Sequence, residues 1–77
     1  MNKSRRKALS EIAEALQVQK DRLESIRDEE QEAYDNMPEG LQESERGEQM
    51  DEYICTIDSS VDDIESVIEN IDEIAEG

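Results

Sequence analysis

The residues best placed to do chemistry are carboxylates in the C-terminal part of the chain. From residue 47 to the end there are eleven Asp and Glu residues and no Lys or Arg. Nine positions spaced three or four residues apart would share one face of a helix about 42 Å long, and eight of them are acidic. This acidic row consists of Glu48, Asp51, Cys55, Asp58, Asp62, Glu65, Glu69, Asp72 and Glu76.

Two interpretations of the acidic row remain open. It could imitate a nucleic-acid backbone and occupy the basic groove of a DNA- or RNA-handling protein. Alternatively, it is a solvated helix face that serves only solubility. If the first holds, the contacts should come from acids that have no basic partner within the fold. The candidates for partner binding on this helix are Glu48, Glu52, Asp62, Asp63, Glu69 and Glu73.

Other reactive residues form no catalytic or metal-binding pattern. The chain has no His, which removes the commonest general base and neutral metal ligand. Cys55 has no cation near it in sequence and is predicted to be a free surface thiol. The carboxylates around Asp62 lack the glycine and the spacing of an EF-hand loop. We predict a protein without enzymatic activity, cofactor or bound metal.

The overall charge limits the classes of partner. The chain has 77 residues, with 23 Asp and Glu against eight Lys and Arg, and a formal charge of −15. This length allows one small domain, and the charge disfavours direct binding to nucleic acid or to an anionic membrane. No apolar run is long enough to span a membrane, no secretory segment is evident, and a single Cys fits a reducing compartment. We expect a cytoplasmic protein that binds other proteins.

The elements that must position these residues are two long helices. Apolar residues three and four apart predict a first helix over about residues 4–35 and a second over about 44–76, with a turn at about 36–43. Ser44 is predicted to cap the second helix. The first seam is predicted to contain Leu9, Ile12, Leu16, Gln19, Leu23, Ile26, Glu30 and Ala33. The second is predicted to contain Met50, Ile54, Ile57, Val61, Ile64, Ile68, Ile71 and Ala75.

These seams predict an all-α, antiparallel two-helix coiled-coil hairpin, with residues 1–77 as a single domain. In the register that we favour, Ala33 lies opposite Gly47, close to the turn. The same register places basic residues of the first helix opposite acids of the second, in the pairs Arg6 with Asp72, Lys20 with Asp58 and Arg27 with Asp51.

A second apolar strip flanks the seam. Its candidate residues are Ala8 and Ala15 on the first helix and Val67 and Ile74 on the second. A lone hairpin of this size buries little surface. We therefore predict that the strip contacts a second copy, which gives a homodimeric four-helix bundle. The alternative is that these residues only widen the seam of a monomer, and Gln19 either fixes the register or lies at a hydrated edge.

The turn is a second candidate partner site. It includes Tyr34, Met37 and Leu41, which look exposed, and Arg46, the last basic residue of the chain. A turn between helices needs only about five residues, and this one is longer. Met37 and Leu41 either cover the end of the seam or form a tip that inserts into a partner.

Three segments carry a family resemblance. The basic start KSRRKAL, the turn YDNMPEGLQESERGEQM and the tail that alternates Ile with acids resemble short acidic hairpin proteins encoded by phages and prophages of gut bacteria. The resemblance covers most of the chain, and the turn is its specific part. It implies an accessory protein that binds a host protein, for example an inhibitor of a bacterial defence system. It identifies neither a target nor a functional residue.

The leading hypothesis is therefore a non-catalytic phage or prophage protein that inhibits a host protein through its acidic helix or its turn. The alternative is a structural or scaffolding coiled-coil module that self-associates or joins a larger assembly. A third hypothesis is an antitoxin-like or chaperone-like cap for a basic partner.

Overall fold

A computed structural model describes all 77 residues as three helices and their connections. The helices are α1 (Lys3–Asp35), α2 (Glu39–Gln42) and α3 (Glu45–Glu76), and there is no β-strand. The molecule measures 58 × 14 × 12 Å, because α1 and α3 pack along each other for most of their length. The predicted all-α class is confirmed, and the short helix α2 within the turn was not predicted.

Side-chain caps define where the long helices begin. The backbone N–H of Arg5 donates to Asn2 Oδ1 over 2.8 Å at the start of α1. The N–H of Gly47 donates to Ser44 Oγ over 3.3 Å, so Ser44 caps α3 as predicted. At its other end α1 stops at Asp35, shortly before Pro38, which has no N–H with which to continue the helix.

Two ion pairs between α1 and α3 establish an antiparallel arrangement and its register. Lys20 Nζ lies 2.6 Å from Glu65 Oε2, and Arg27 Nη1 lies 2.6 Å from Asp58 Oδ1. The partner number falls as the α1 number rises, so the helices run in opposite directions. The predicted partners were Asp58 for Lys20 and Asp51 for Arg27. Each observed partner lies seven residues further along the chain. The predicted register is therefore wrong by one heptad.

The connection explains the heptad error. Gly47 does not face Ala33 but packs against α2, where a Cβ would lie 2.5 Å from the carbonyl oxygen of Leu41 and closer still to that of Gln42. The extra helical turn lengthens the connection and moves α3 along α1. A heptad repeat superposes on itself after seven residues, so the apolar spacing alone fits both registers.

The core lies along the middle of the hairpin, and on α3 it follows the predicted seam. Ile54, Val61 and Ile68 are buried, and the seam residues between them are half-buried. Of the predicted seam on α1, the residues that do not reach solvent freely are Leu9, Leu16, Leu23 and Glu30. The other four, which are exposed, are Ile12, Gln19, Ile26 and Ala33.

On α1 each of these exposed residues is followed in sequence by a residue that occupies the seam in its place. Ala13 is buried, and Lys20, Arg27 and Tyr34 are half-buried. A turn of about 100° separates adjacent residues, so α1 is rotated from the predicted orientation. The physical reason is that the aliphatic stems of Lys20 and Arg27 cover the apolar seam while their charged ends reach acids on α3.

Candidate functional site: the acidic face, the turn and an uncharged strip

The acidic row follows one side of α3 and is almost entirely accessible. Seven of its nine positions are exposed, and Glu65 and Asp72 are half-buried. Cys55 interrupts the row as an exposed free thiol. The six predicted contact acids of α3, all exposed, are Glu48, Glu52, Asp62, Asp63, Glu69 and Glu73. At 100° per residue, the eleven acids after residue 47 cover about half of the circumference of α3.

Only two of these eleven acids pair with a cation. Glu65 pairs with Lys20 and Asp58 with Arg27, and no other ion pair reaches α3. The predicted partners of Asp51 and Asp72 are absent: Arg27 binds Asp58 instead, and Arg6 makes no ion pair. Nine acids therefore have no cation partner, which is one more than the three predicted pairs would leave.

The two interhelical cations are held firmly in their charged form. The pKa of Lys20 is raised, chiefly by its hydrogen bond to Glu65, although partial burial opposes the rise. The pKa of Arg27 is raised by hydrogen bonds to Asp58 and then to its neighbour Asp28. Each cation also binds an acid of α1, with Lys20 Nζ lying 3.5 Å from Glu24 Oε1. These two of the eight basic residues are thus engaged at the seam, on one side of α3.

The turn separates its four candidate residues. Tyr34 is half-buried, contrary to its expected exposure, and its carbonyl oxygen accepts a hydrogen bond from Gln42 Nε2 over 2.8 Å. Met37 is half-buried, whereas Leu41 is 53% exposed and Arg46 is exposed. Tyr34 and Met37 therefore pack within the turn end of the hairpin. Leu41 and Arg46 remain available on the surface.

Exposed apolar residues form a third surface, on the other side of α3 from the ion pairs. The two predicted dimer residues of α3 are Val67, 45% exposed, and Ile74, 49% exposed. The predicted dimer residues of α1, Ala8 and Ala15, are also exposed. Three residues missed as surface candidates are 48–54% exposed, namely Ile12, Ile26 and Tyr53. We call the surface formed by these seven residues, with Gln19 and Ser60 between them, the uncharged strip.

The signal for the missed residues is present in the sequence as a second heptad on α3. Tyr53, Ser60, Val67 and Ile74 recur every seven residues beside the buried seam. Ile12 and Ile26 were missed because they were assigned to the intramolecular seam. The rotation of α1 moves them to its outer side, next to this second heptad.

The hairpin has no enclosed cavity that could hold a substrate. Its two concavities are shallow surface grooves, one beside Ala13 and Ile68 and one beside Leu23 and Ile26. No three side chains of Asp, Glu or Cys converge as a group that could hold a metal ion.

Comparisons with known proteins assign no family. No protein-family model, curated protein or solved structure matches this chain. Neither long helix has a segment apolar enough to cross a bilayer. Inference about function therefore rests on the three surfaces of the hairpin.

Proposed function

We propose that this protein is a non-catalytic accessory protein of a phage or prophage that binds and inhibits a host protein through the acidic side of α3. The observation that carries the proposal is the set of nine carboxylates of α3 that have no cation partner. The two cations that reach α3 pair with only Asp58 and Glu65 of the acidic row. The exposed charge is available to an external partner.

The partner chemistry follows from the charge density. The nine unpaired acids over about 42 Å of helix give one negative charge per about 5 Å. One strand of DNA carries a charge every 3.4 Å along the axis. A basic groove that accepts a nucleic-acid strand would meet a comparable density here. A host nuclease or another defence component that handles nucleic acid has such a groove, and the inhibitor would act in the host cytoplasm.

The proposal can be tested by capture from host lysate. The immobilised protein should retain a basic nucleic-acid-handling protein at low salt and release it at high salt, because screening weakens exposed charges. Nuclease treatment of the lysate removes bridging nucleic acid. Added duplex DNA should then compete for the captured protein.

A charge-reversed bait provides the specific control. The change Asp62→Lys, Asp63→Lys and Glu69→Lys alters exposed residues without touching either interhelical ion pair. It should abolish capture and leave helicity unchanged. Retention of the same protein by this bait would refute binding through the acidic side. Loss of capture on Leu41→Ser with Arg46→Ser would then identify the turn as the contact.

The second candidate function is a structural or scaffolding module. The uncharged strip favours it, since apolar side chains left on a surface mark places of protein association. The corresponding form of the protein is a homodimer that closes into a four-helix bundle. In the capture experiment, this function corresponds to retention of only self or virion proteins at every salt concentration.

A further inference from the structure

The second heptad of α3 has the geometry of a helix-packing seam. Uncharged residues recur at spacings of four and three along it, at positions Tyr53, Ile57, Ser60, Ile64, Val67, Ile71 and Ile74. Three of them, Ile57, Ile64 and Ile71, also belong to the seam that α1 covers, and they are only half-buried. Helix α1 thus covers one edge of a wider apolar surface and leaves the other edge open.

Helix α1 extends the same surface. The ion pair places Lys20 level with Glu65. Ile12 comes eight residues before Lys20, and in an antiparallel pair it therefore lies level with the residue eight positions after Glu65. That position is next to Ile74. By the same rule Ile26 lies beside Ser60. Gln19 and Ile26 come one residue before the ion-paired Lys20 and Arg27, which is a rotation of about 100° around the helix axis. They therefore lie on the opposite side of the seam from the ion pairs. The uncharged strip therefore extends across both helices, and on α1 it borders Arg22, which donates to Gln19 Oε1 and lines the groove beside Ile26.

The geometry points to a second copy of this chain as the occupant of the uncharged strip, packed so that the two acidic sides face away from each other. This inference deepens the proposed homodimer by naming its interface. The outline of a whole face of the hairpin is about 58 × 14 Å, or roughly 800 Å², so an interface that runs the full length of the strip approaches the area that each partner contributes to a standard stable interface.

The chemistry of the strip favours a copy over a foreign protein. Its spacing follows the heptad, so the matching surface is another pair of long helices. Its residues on α3 carry no charge, and a basic partner would be attracted to the acids on the other side of that helix instead. Two copies of charge −15 repel each other least where acids are fewest. On α3 the strip is that side, and on α1 its heptad row carries one acid, Glu29, as well as Arg22.

The exposed isoleucines provide a further reason. Ile12 and Ile26 are 48% and 52% exposed, while the stems of Lys20 and Arg27 fill the seam positions beside them. An isolated hairpin loses apolar burial by this choice. In the bundle both isoleucines are covered and both ion pairs are kept. The assembled dimer would also present two outward acidic sides, so that it binds two basic partners.

The interface can be tested by sedimentation and native mass spectrometry. Wild-type protein should be dimeric at micromolar concentration. Val67→Glu with Ile74→Glu, and separately Ile26→Glu, should raise the dimer dissociation constant at least about 100-fold, because each places a charge in an apolar contact. A monomeric wild type, or dimers unaffected by these changes, would overturn the interface.

The matched control is Val18→Glu. Val18 is 55% exposed on the same helix, but about 80° beyond Ile26 in the direction away from α3. It should leave the dimer intact, and an equal loss of dimer would contradict the assignment of the face. If the glutamate variants unfold by circular dichroism, Val67→Ser with Ile74→Ser provides a milder change. A folded serine variant with an unaltered dissociation constant would also overturn the interface.

Salt separates this inference from the proposed function. Dimerisation should strengthen as ionic strength rises, because the two copies repel each other and their contact is uncharged. Binding to a basic partner should weaken over the same range. A dimer without a salt-labile partner would support the interface alone. A salt-labile partner bound by a monomer would support the proposed function and reject the interface.

Discussion

The two sides of α3 use the same heptad spacing for opposite purposes. On one side, acids follow the seam and nine of them have no cation near enough to pair. On the other side, Tyr53, Val67 and Ile74 are exposed and no acid interrupts them. The acids of the first side are stabilised by water or by a basic partner, whereas the apolar residues of the second side are stabilised when another surface buries them. The comparison teaches that a helix in a two-helix hairpin has more amphipathic surface than one neighbour can satisfy.

The largest expected effect distinguishes the covered seam from the open strip. Ile68 is 6% exposed, so Ile68→Ala should lower the free energy of unfolding by about 2–4 kcal/mol at every protein concentration. Chemical denaturation followed by circular dichroism measures this loss. A loss smaller than about 0.5 kcal/mol would show that α1 and α3 do not pack through this residue.

Ile26→Ala is the matched change on the uncharged strip. In dilute solution, where the chain is monomeric, it should alter the free energy of unfolding by no more than about 0.5 kcal/mol. At concentrations that favour the dimer the loss should grow. If the effect of Ile26→Ala is large and independent of concentration, the residue is buried within the hairpin, as the sequence alone suggested.

A smaller effect should come from salt, which acts on the acidic side. Raising the salt from 0.01 to 1 M shortens the screening length from about 30 to 3 Å and should raise Tm, since the acids repel one another. The variant with Asp62, Asp63 and Glu69 changed to Lys has a charge of −9, because each reversal removes two negative charges from −15. Its Tm should respond less. A wild-type Tm that falls with salt would mean that the ion pairs outweigh the repulsion.

The smallest effect should come from the ion pair itself, through its pH dependence. The pKa of Lys20 is raised by Glu65, so the folded state holds this proton more tightly than the unfolded chain does. The contribution is fully present below the unfolded pKa of about 10.4 and is lost as pH rises through the higher folded value. Lys20→Met keeps an apolar stem at the seam and removes the charge.

The measurement is Tm between pH 8 and 11.5 for both proteins. The difference in Tm between wild type and Lys20→Met should become smaller at the alkaline end. Because both proteins are measured under the same conditions, changes common to the two cancel in this difference. Two curves that remain parallel over the whole range would rule out a contribution from this proton.

Sequence patterns predicted α3 better than α1, for a physical reason. The buried positions of α3 are isoleucine and valine with acids on the neighbouring side, so only one orientation is plausible. On α1 the choice lay between Ile26 and Arg27, and hydropathy favours Ile26. The structure places Arg27 at the seam because its long stem is apolar and its guanidinium reaches Asp58.

The spacing of apolar residues could not predict the register of the two helices or the structure of the turn. Registers one heptad apart place similar residues at the seam, and the difference depends on how much chain the connection uses. Helix α2 is too short to have a periodic signature, and Gly47 was recognised as a small residue without its true neighbour. For the candidate surfaces, the composition of α3 indicated the acidic side. The full extent of the uncharged strip required the observed rotation of α1.

Three isoleucines of α3 belong to both of its heptads. Ile57, Ile64 and Ile71 border the seam covered by α1 and also the uncharged strip. A substitution at any of them changes folding and association together. By contrast, a substitution of Ile68 mainly affects folding, and one of Val67 mainly affects association. In evolutionary terms these three positions have little independent freedom. The acidic positions opposite them can vary with a partner while the shape of the rod is preserved.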